Sequence, residues 1–203
     1  MNGSEKEYIW SLCREAAAKI GPRWQFDANA DLDRRVLYIR SCAELLFGTA
    51  AVESGFHYRR QMTPAAMSTV GGFGIWQVEL RTAENLLMGL LNRPTLSGVI
   101  AQFIWPHDHY PLHWFMRTTM MDYHYDERAV EWLLRGSNRA GVCLARLKYL
   151  SIPSAIPCHV SLLVRRKQHA EYWKRHYNTA AGKGTEEAYV LQFDNLCLPI
   201  LEG

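Results

Sequence analysis

The sequence predicts a single, mostly α-helical domain. Its 203 residues are 48% hydrophobic and 21% charged, a balance typical of a globular protein with one sizeable core. Apolar residues recur at helical spacing along most of the chain, and no stretch shows the sustained apolar–polar alternation of a strand. Because we find no internal repeat and no low-complexity segment, we expect residues 1–203 to form one domain.

The predicted helices are bounded by residues that start or stop helices. The first begins with a capping box, in which Ser4 and Glu7 satisfy backbone N–H groups with their side chains. The second begins after Asp31 or Asp33 and has Gly55 just beyond its end, where glycine is common. The predicted helical ranges are about 5–19, 33–53, 82–91, 126–134, 138–150, 160–177 and 186–193.

Two stretches of the chain have a less regular pattern. Residues 57–73 are polar and glycine-rich, which favours a loop or a short hairpin. Residues 94–112 have a less regular pattern, in which 97–103 is compatible with one or two helical turns. The prediction is therefore a helical domain with an irregular middle segment.

Glu53 is the residue that most clearly indicates a function. It ends a long apolar helix, where burial disfavours the charged carboxylate and the helix C-terminus contributes partial negative charge. Both effects raise the pKa of a carboxyl group toward neutrality, as a general acid working at neutral pH requires. The alternative is an ordinary Glu at a helix end, exposed to solvent or paired with an arginine such as Arg81.

Three short segments of the chain form a recognisable series. They are Glu53-Ser54-Gly55-Phe56, then Gly74-Ile75-Trp76-Gln77 followed by Thr82-Ala83, and finally Tyr177-Asn178. In this order they resemble the lysozyme-like superfamily, and more narrowly its branch of lytic transglycosylases and goose-type lysozymes. The resemblance is carried by residues 36–91, and residues 138–193 are similar to the family in their helical layout.

The resemblance implies a lysozyme-like fold and cleavage of the β-1,4 bond between N-acetylmuramic acid and N-acetylglucosamine in peptidoglycan. Glu53 would protonate the glycosidic oxygen and then act as base, while the muramoyl 6-hydroxyl closes a 1,6-anhydro ring. A hydrolase would need a second carboxylate. No spacing selects one among Glu79, Asp108, Asp122 and Asp126, so we expect a lytic transglycosylase with a single acid/base residue.

The resemblance also implies which residues bind substrate. Gln77 would hydrogen-bond a sugar amide or the catalytic carboxylate, the alternative being that it only caps its turn. Tyr177 would contact Glu53 or a sugar, although an aromatic core position is the stronger interpretation; Trp76 is expected in the core. The candidate substrate-binding residues are Ser54, Gly72, Gly74, Gln77, Tyr177 and Asn178.

We expect no metal, no cofactor and no nucleic acid as partner. A net charge of +3 is too small for a nucleic-acid footprint. The basic run Arg165-Arg166-Lys167 is expected to be a solvated face, the alternative being contact with anionic wall polymer or a membrane surface. Histidines between residues 107 and 124 include a His-x-His pair, but their spacing fits no specific zinc motif. They are His107, His109, His113 and His124.

The sequence also bears on where the protein is expected to be made and to act. It has no apolar run long enough for an integral membrane segment, no signal-peptide pattern at its start and no CxxC pair among five cysteines. We therefore expect synthesis in the cytoplasm. Together with the resemblance, this implies action on peptidoglycan glycan strands of the bacterial cell wall, as a phage endolysin or virion-associated enzyme. The alternative is a structural component of a phage virion or tail, with a decayed site and contacts to other virion proteins.

Overall fold

The structure, a computed structural model, describes residues 1–21, 32–57, 72–106, 127–178 and 182–203. Within these ranges the chain is mostly helical, which confirms the predicted fold class. The helices are α1 (Gly3–Lys19), α2 (Leu32–Ser54), α3 (Leu80–Leu91), α4 (Pro94–Ile104), α5 (Glu127–Gly136), α6 (Asn138–Leu150), α7 (Leu162–Trp173), α8 (Glu186–Gln192) and α9 (Leu198–Glu202). The strands β1 (Gly72–Phe73) and β2 (Val78–Glu79) form an antiparallel hairpin.

Helix α1 begins two residues before the predicted start because its capping box lies earlier in the sequence. The N–H of Glu5 donates to Oδ1 of Asn2 at 2.9 Å, and the N–H of Asn2 donates to Oε2 of Glu5 at 2.8 Å. Ser4 donates its hydroxyl to Asn2 Oδ1 at 2.8 Å instead of capping the helix. The predicted box of Ser4 and Glu7 was therefore wrong.

Helix α2 is the central helix of the core. Nearly every residue from Ser41 to Ala51 is buried, and the helix packs against α1, α6, α7 and α8. Most side chains in this part of the helix are apolar, so burying the helix on all sides stabilises it. Helix α2 thus packs against helices from both ends of the described chain.

A buried ion pair joins α2 to α7. Arg165 donates from Nε to Oε2 of Glu44 at 2.7 Å and from Nη2 to Oε1 at 2.8 Å, and both side chains are almost fully buried. Arg165 also donates to the carbonyls of His159 and Val160, which attaches the segment before α7 to the core. The expectation of a solvated basic face was therefore wrong for Arg165.

Two of the predicted helical ranges, 97–103 and 160–177, differ from the helices that form there. Helix α4 is longer than the predicted one or two turns because Pro94 begins it, in the position where proline is best tolerated. The predicted single helix over 160–177 is α7 followed by a π-helical turn, Lys174–Asn178. Helix α8 is likewise followed by a π-helical turn, Phe193–Cys197.

The described residues bear on two of the expectations about location. No helix within the described ranges combines the length and the apolar character needed to cross a lipid bilayer. All five cysteines are free thiols, four of them buried and Cys158 exposed. The buried ones act as small apolar side chains of the core.

Candidate active site

Glu53 lies in the last turn of α2 and is partly buried. Gly55 adopts a φ of +57° and donates its N–H to the carbonyl of Ala51 at 2.8 Å, which ends the helix as predicted. The buried hydroxyl of Ser54 donates to the carbonyl four residues earlier at 3.0 Å and accepts the N–H of Phe56 at 3.1 Å. Ser54 therefore fixes the helix end that carries the carboxyl group.

The surroundings of Glu53 hold its proton near neutral pH. Burial is the main cause and raises the pKa of Glu53 from 4.5 to about 7. Trp173 donates Nε1–H to Glu53 Oε1 at 2.9 Å, and this bond together with the positive charge of Lys148 lowers the pKa, whereas the charge of Glu79 raises it. The carboxyl is thus shielded from solvent, unlike the exposed helix-end Glu of the alternative interpretation.

The segment Gly74-Ile75-Trp76-Gln77 forms the turn of the hairpin. Gly74 has a φ of +71°, and a Cβ atom there would lie 2.6 Å from the carbonyl oxygen of Leu134 on α5. Gln77 has a φ of +49° and donates Nε2–H to the carbonyl of Gly74 at 2.7 Å. The amide group of Gln77 therefore closes the turn, the role that was the alternative to sugar binding.

Gly72 is needed for the close approach of the two strands. It pairs with Glu79 across the hairpin, and a Cβ atom at Gly72 would lie 2.3 Å from the carbonyl oxygen of Gln77. A side chain cannot occupy that space without opening the turn. Gly72 and Gly74 thus shape the backbone beside the site, and their first effect is on the hairpin itself.

Two aromatic side chains attach the hairpin to the helices. Trp76 is fully buried and donates Nε1–H to the carbonyl of Leu46 on α2 at 2.8 Å, which confirms its expected core position. Tyr177 is also buried and donates its hydroxyl to the carbonyl of Trp76 at 2.8 Å. Burial and the charge of Glu53 raise the pKa of Tyr177 well above its usual value, so Tyr177 lies within electrostatic reach of Glu53.

Lys148 is a member of the site that the sequence motifs do not include. Its Nζ donates to the carbonyl of Tyr177 at 3.0 Å and lies 3.8 Å from the centre of the Tyr177 ring. Burial lowers the pKa of Lys148, while the charges of Glu53 and Glu79 raise it. Lys148 and Trp173 were both missed, and the available signal was a lysine on the apolar helix predicted over 138–150 and a tryptophan within the basic helix predicted over 160–177.

The remaining predicted residues lie around this cluster in different roles. Asn178 accepts a hydrogen bond at Oδ1 from Lys174 at 3.0 Å, and Lys174 also donates to the carbonyl of Gly182 at 2.9 Å. Asn178 therefore helps to close the segment that leads to α8. Glu79 is exposed at the N-cap of α3, and its charge raises the pKa of Glu53.

Several sequence candidates lie outside the described residues. These are the other proposed carboxylates and the histidines, namely Asp108, Asp122, Asp126, His107, His109, His113 and His124. In the part of the chain that the structure describes, no three His, Cys, Asp or Glu side chains are grouped to hold a metal ion. A cavity of about 800 Å³ lies elsewhere, lined by residues of α1, α2 and α9, and none of the residues around Glu53 lines it.

The arrangement around Glu53 suits proton transfer in both directions. A carboxyl group with a pKa of about 7 is protonated in a large fraction of molecules at neutral pH and is also readily deprotonated. The Trp173 N–H and the Lys148 charge stabilise the carboxylate after the proton has left. No protein-family model, curated protein or solved structure matches this chain significantly. Its function must therefore be inferred from this geometry.

Proposed function

We propose that the protein is a peptidoglycan-cleaving lytic transglycosylase with Glu53 as its acid/base residue. One observation carries the proposal. A partly buried carboxyl group with a pKa of about 7 ends the central helix, next to a hairpin whose turn is the Gly74-Ile75-Trp76-Gln77 segment. The same two segments carry the resemblance to lytic transglycosylases, and the proposed fold is accordingly lysozyme-like.

In the first step, the protonated Glu53 donates its proton to the glycosidic oxygen as the bond from N-acetylmuramic acid to N-acetylglucosamine breaks. Positive charge develops on the muramoyl ring, and the carboxylate of Glu53 remains beside it. A positioned general acid of this kind accelerates bond cleavage by about 10²–10⁴-fold. The indole N–H of Trp173 accepts no proton and stays a donor, so it stabilises the carboxylate without competing for the proton.

In the second step, Glu53 takes the proton of the muramoyl 6-hydroxyl, whose oxygen bonds to the anomeric carbon. This closes the 1,6-anhydro ring and returns the proton to Glu53, so one carboxyl group serves both halves of the reaction. A pKa of about 7 permits both roles, because neither the acid nor the base form is strongly disfavoured. In a phage endolysin or virion-associated enzyme this reaction would open the bacterial cell wall.

The test of the proposal is the clearing of a suspension of purified cell walls. We expect the wild type to clear it and Glu53→Gln to be at least about 100-fold slower, because the amide cannot donate the proton. Glu7→Gln is the matched control, since Glu7 is exposed on α1 and undergoes the same change of group. Equal clearing by the wild type and Glu53→Gln would show that the acid is elsewhere, and no clearing by the wild type would favour a structural virion component.

The type of cleavage is decided by the mass of the products. An anhydro-muramoyl product is lighter by one water than the product of hydrolysis. We expect anhydro ends in digests made by the wild type. Reducing-end muramic acid alone would refute the transglycosylase mechanism and would favour Glu79, whose charge acts on Glu53, as a second carboxylate.

A further inference from the structure

We propose that Lys148 is a positioning residue of this site, whose positive charge acts on the Glu53 carboxyl and whose ammonium group is fixed by Tyr177. The inference rests on the proposed function for its chemical consequence. It concerns a residue of α6 that lies in none of the three sequence segments. Its evidence is the geometry of the ammonium group and the set of charges around it.

The ammonium group of Lys148 is held by two contacts with one residue. It donates to the backbone carbonyl of Tyr177 at 3.0 Å and lies 3.8 Å from the centre of the Tyr177 ring, a distance at which a cation is attracted by an aromatic face. Tyr177 is fixed in turn, because its hydroxyl donates to the Trp76 carbonyl and its ring lies 5.2 Å from that of Tyr149. A partly buried lysine is thereby kept from extending into solvent.

The charged groups that act on Glu53 come from two other elements. They are Lys148 from α6 and Glu79 from β2, and β2 packs against α6. Tyr149 and Tyr177 also face Glu53, but burial raises the pKa of each well above its usual value, so both stay neutral. Lys148 therefore supplies the positive charge of this group, and Glu79 opposes it.

The chemical consequence follows from the two roles of Glu53. Burial and the charge of Glu79 both favour the protonated acid, whereas Lys148 favours the carboxylate that must act as base in the second step. Without Lys148, Glu53 would stay protonated to a higher pH and would be slower to accept the proton of the 6-hydroxyl. The ammonium group thus keeps one carboxyl usable in both directions.

The test is a titration of the Glu53 carboxyl by ¹³C NMR in the full chain, with its signal assigned by its loss in Glu53→Gln. Lys148→Met removes the charge and keeps the apolar stem, and we expect the Glu53 midpoint to rise by about one pH unit. Lys148→Arg keeps the charge and is expected to leave the midpoint near the wild-type value. Lys148→Gln gives a second neutral variant if the methionine variant is unfolded.

Glu79→Gln provides a check of opposite sign. Removing the negative charge of Glu79 is expected to lower the Glu53 midpoint, while removing Lys148 raises it. A loss of packing has no reason to move the midpoint in opposite directions at the two positions. A midpoint unchanged in both Lys148→Met and Lys148→Gln would refute the inference, as would an equal rise in Lys148→Arg.

The activity profile links this electrostatic effect to catalysis. In Lys148→Met the alkaline limb of the pH profile for wall clearing should move upward with the Glu53 midpoint, and in Lys148→Arg it should stay in place. A wild type that clears no walls but shows the shifted midpoint would refute the proposed function and support the role of Lys148. A limb that stays in place while the midpoint moves would refute the role of Lys148 in catalysis.

Discussion

Replacing Glu53 with glutamine is expected to stabilise the protein at alkaline pH, by an amount that depends on pH. Burial raises the pKa of Glu53 from 4.5 to about 7, so the folded protein binds this proton more tightly than the unfolded chain does. For a group whose folded pKa is raised, the stabilisation is fully present below the unfolded pKa and is lost as pH rises through the folded pKa. The wild type should therefore lose stability between pH 4.5 and about pH 7 because of Glu53.

The size of this loss follows from the shift. Each pKa unit corresponds to 1.36 kcal/mol, so a shift from 4.5 to about 7 amounts to about 3 kcal/mol of unfolding free energy. The amide of glutamine does not ionise, and its oxygen still accepts the Trp173 N–H. The stability of Glu53→Gln relative to the wild type should thus increase through this pH window and then remain constant.

The assay is urea unfolding of the wild type and Glu53→Gln at a series of pH values from about 4 to about 9. Glu7→Gln, with the same change at an exposed position of α1, accounts for the general effect of removing one carboxylate. A difference between Glu53→Gln and the wild type that does not change with pH would refute the raised pKa, and with it the chemical basis of the proposed acid.

Two further predictions concern the framework that holds the site. Gly74→Ala should destabilise the protein by about 1–3 kcal/mol, because φ is +71° and the new Cβ would meet the Leu134 carbonyl at 2.6 Å. Gly89→Ala in α3 has open space around the new Cβ and should stabilise the protein by up to about 1 kcal/mol. Equal thermal midpoints for the two variants would contradict this prediction. Arg165→Met should cost about 3 kcal/mol in urea unfolding, because the buried Glu44 then keeps the contact with the exposed Arg40 side chain but loses its buried partner, and the double variant with Glu44→Gln should recover part of that loss.

Local signals in the sequence predicted the helices well where one signal dominates. The range 138–150 agrees with α6 because Ser137 caps it, accepting the N–H of Ala140 with its side chain, and the apolar spacing that follows is regular. The start of α1 was predicted two residues late because two overlapping box patterns occur there, and Asn2 takes the cap that Ser4 also suits. The π-helical turn after α7 is polar except for Tyr177 and has no residue that excludes an ordinary helix, so periodicity alone does not distinguish the two.

The raised pKa of Glu53 could be predicted because its cause is local. An apolar helix end predicts burial, and burial is the largest cause of the shift. The hydrogen-bond donor Trp173 lies 120 residues away along the chain, and no spacing rule connects such distant positions. The same limit explains Arg165, whose basic neighbours suggested a solvated face although its partner lies 121 residues earlier.

Glu44 was a signal that sequence reasoning could have used. A carboxylate in the middle of a helix as apolar as α2 is costly to bury unless a cation pairs with it. That requirement predicts a buried arginine or lysine on a facing helix, and the arginine-rich start of α7 is a place to look for it. Arg165 meets the requirement with two hydrogen bonds to Glu44 under 3 Å, and Arg40, one turn earlier on α2, adds a third at 3.0 Å.

Helix α2 therefore carries two shielded glutamates with different partners, and the partners decide what each can do. Glu44 receives two direct hydrogen bonds from the guanidinium of Arg165, which makes it a permanent part of the framework. Glu53 receives a neutral indole N–H, while the nearby Lys148 donates to the Tyr177 carbonyl. The charge of Lys148 acts on Glu53, but its ammonium group donates to a backbone oxygen. Glu53 therefore keeps a pKa of about 7, at which a carboxyl group can both give and take a proton. A single core helix thus supplies one carboxylate for folding and one for the proposed chemistry.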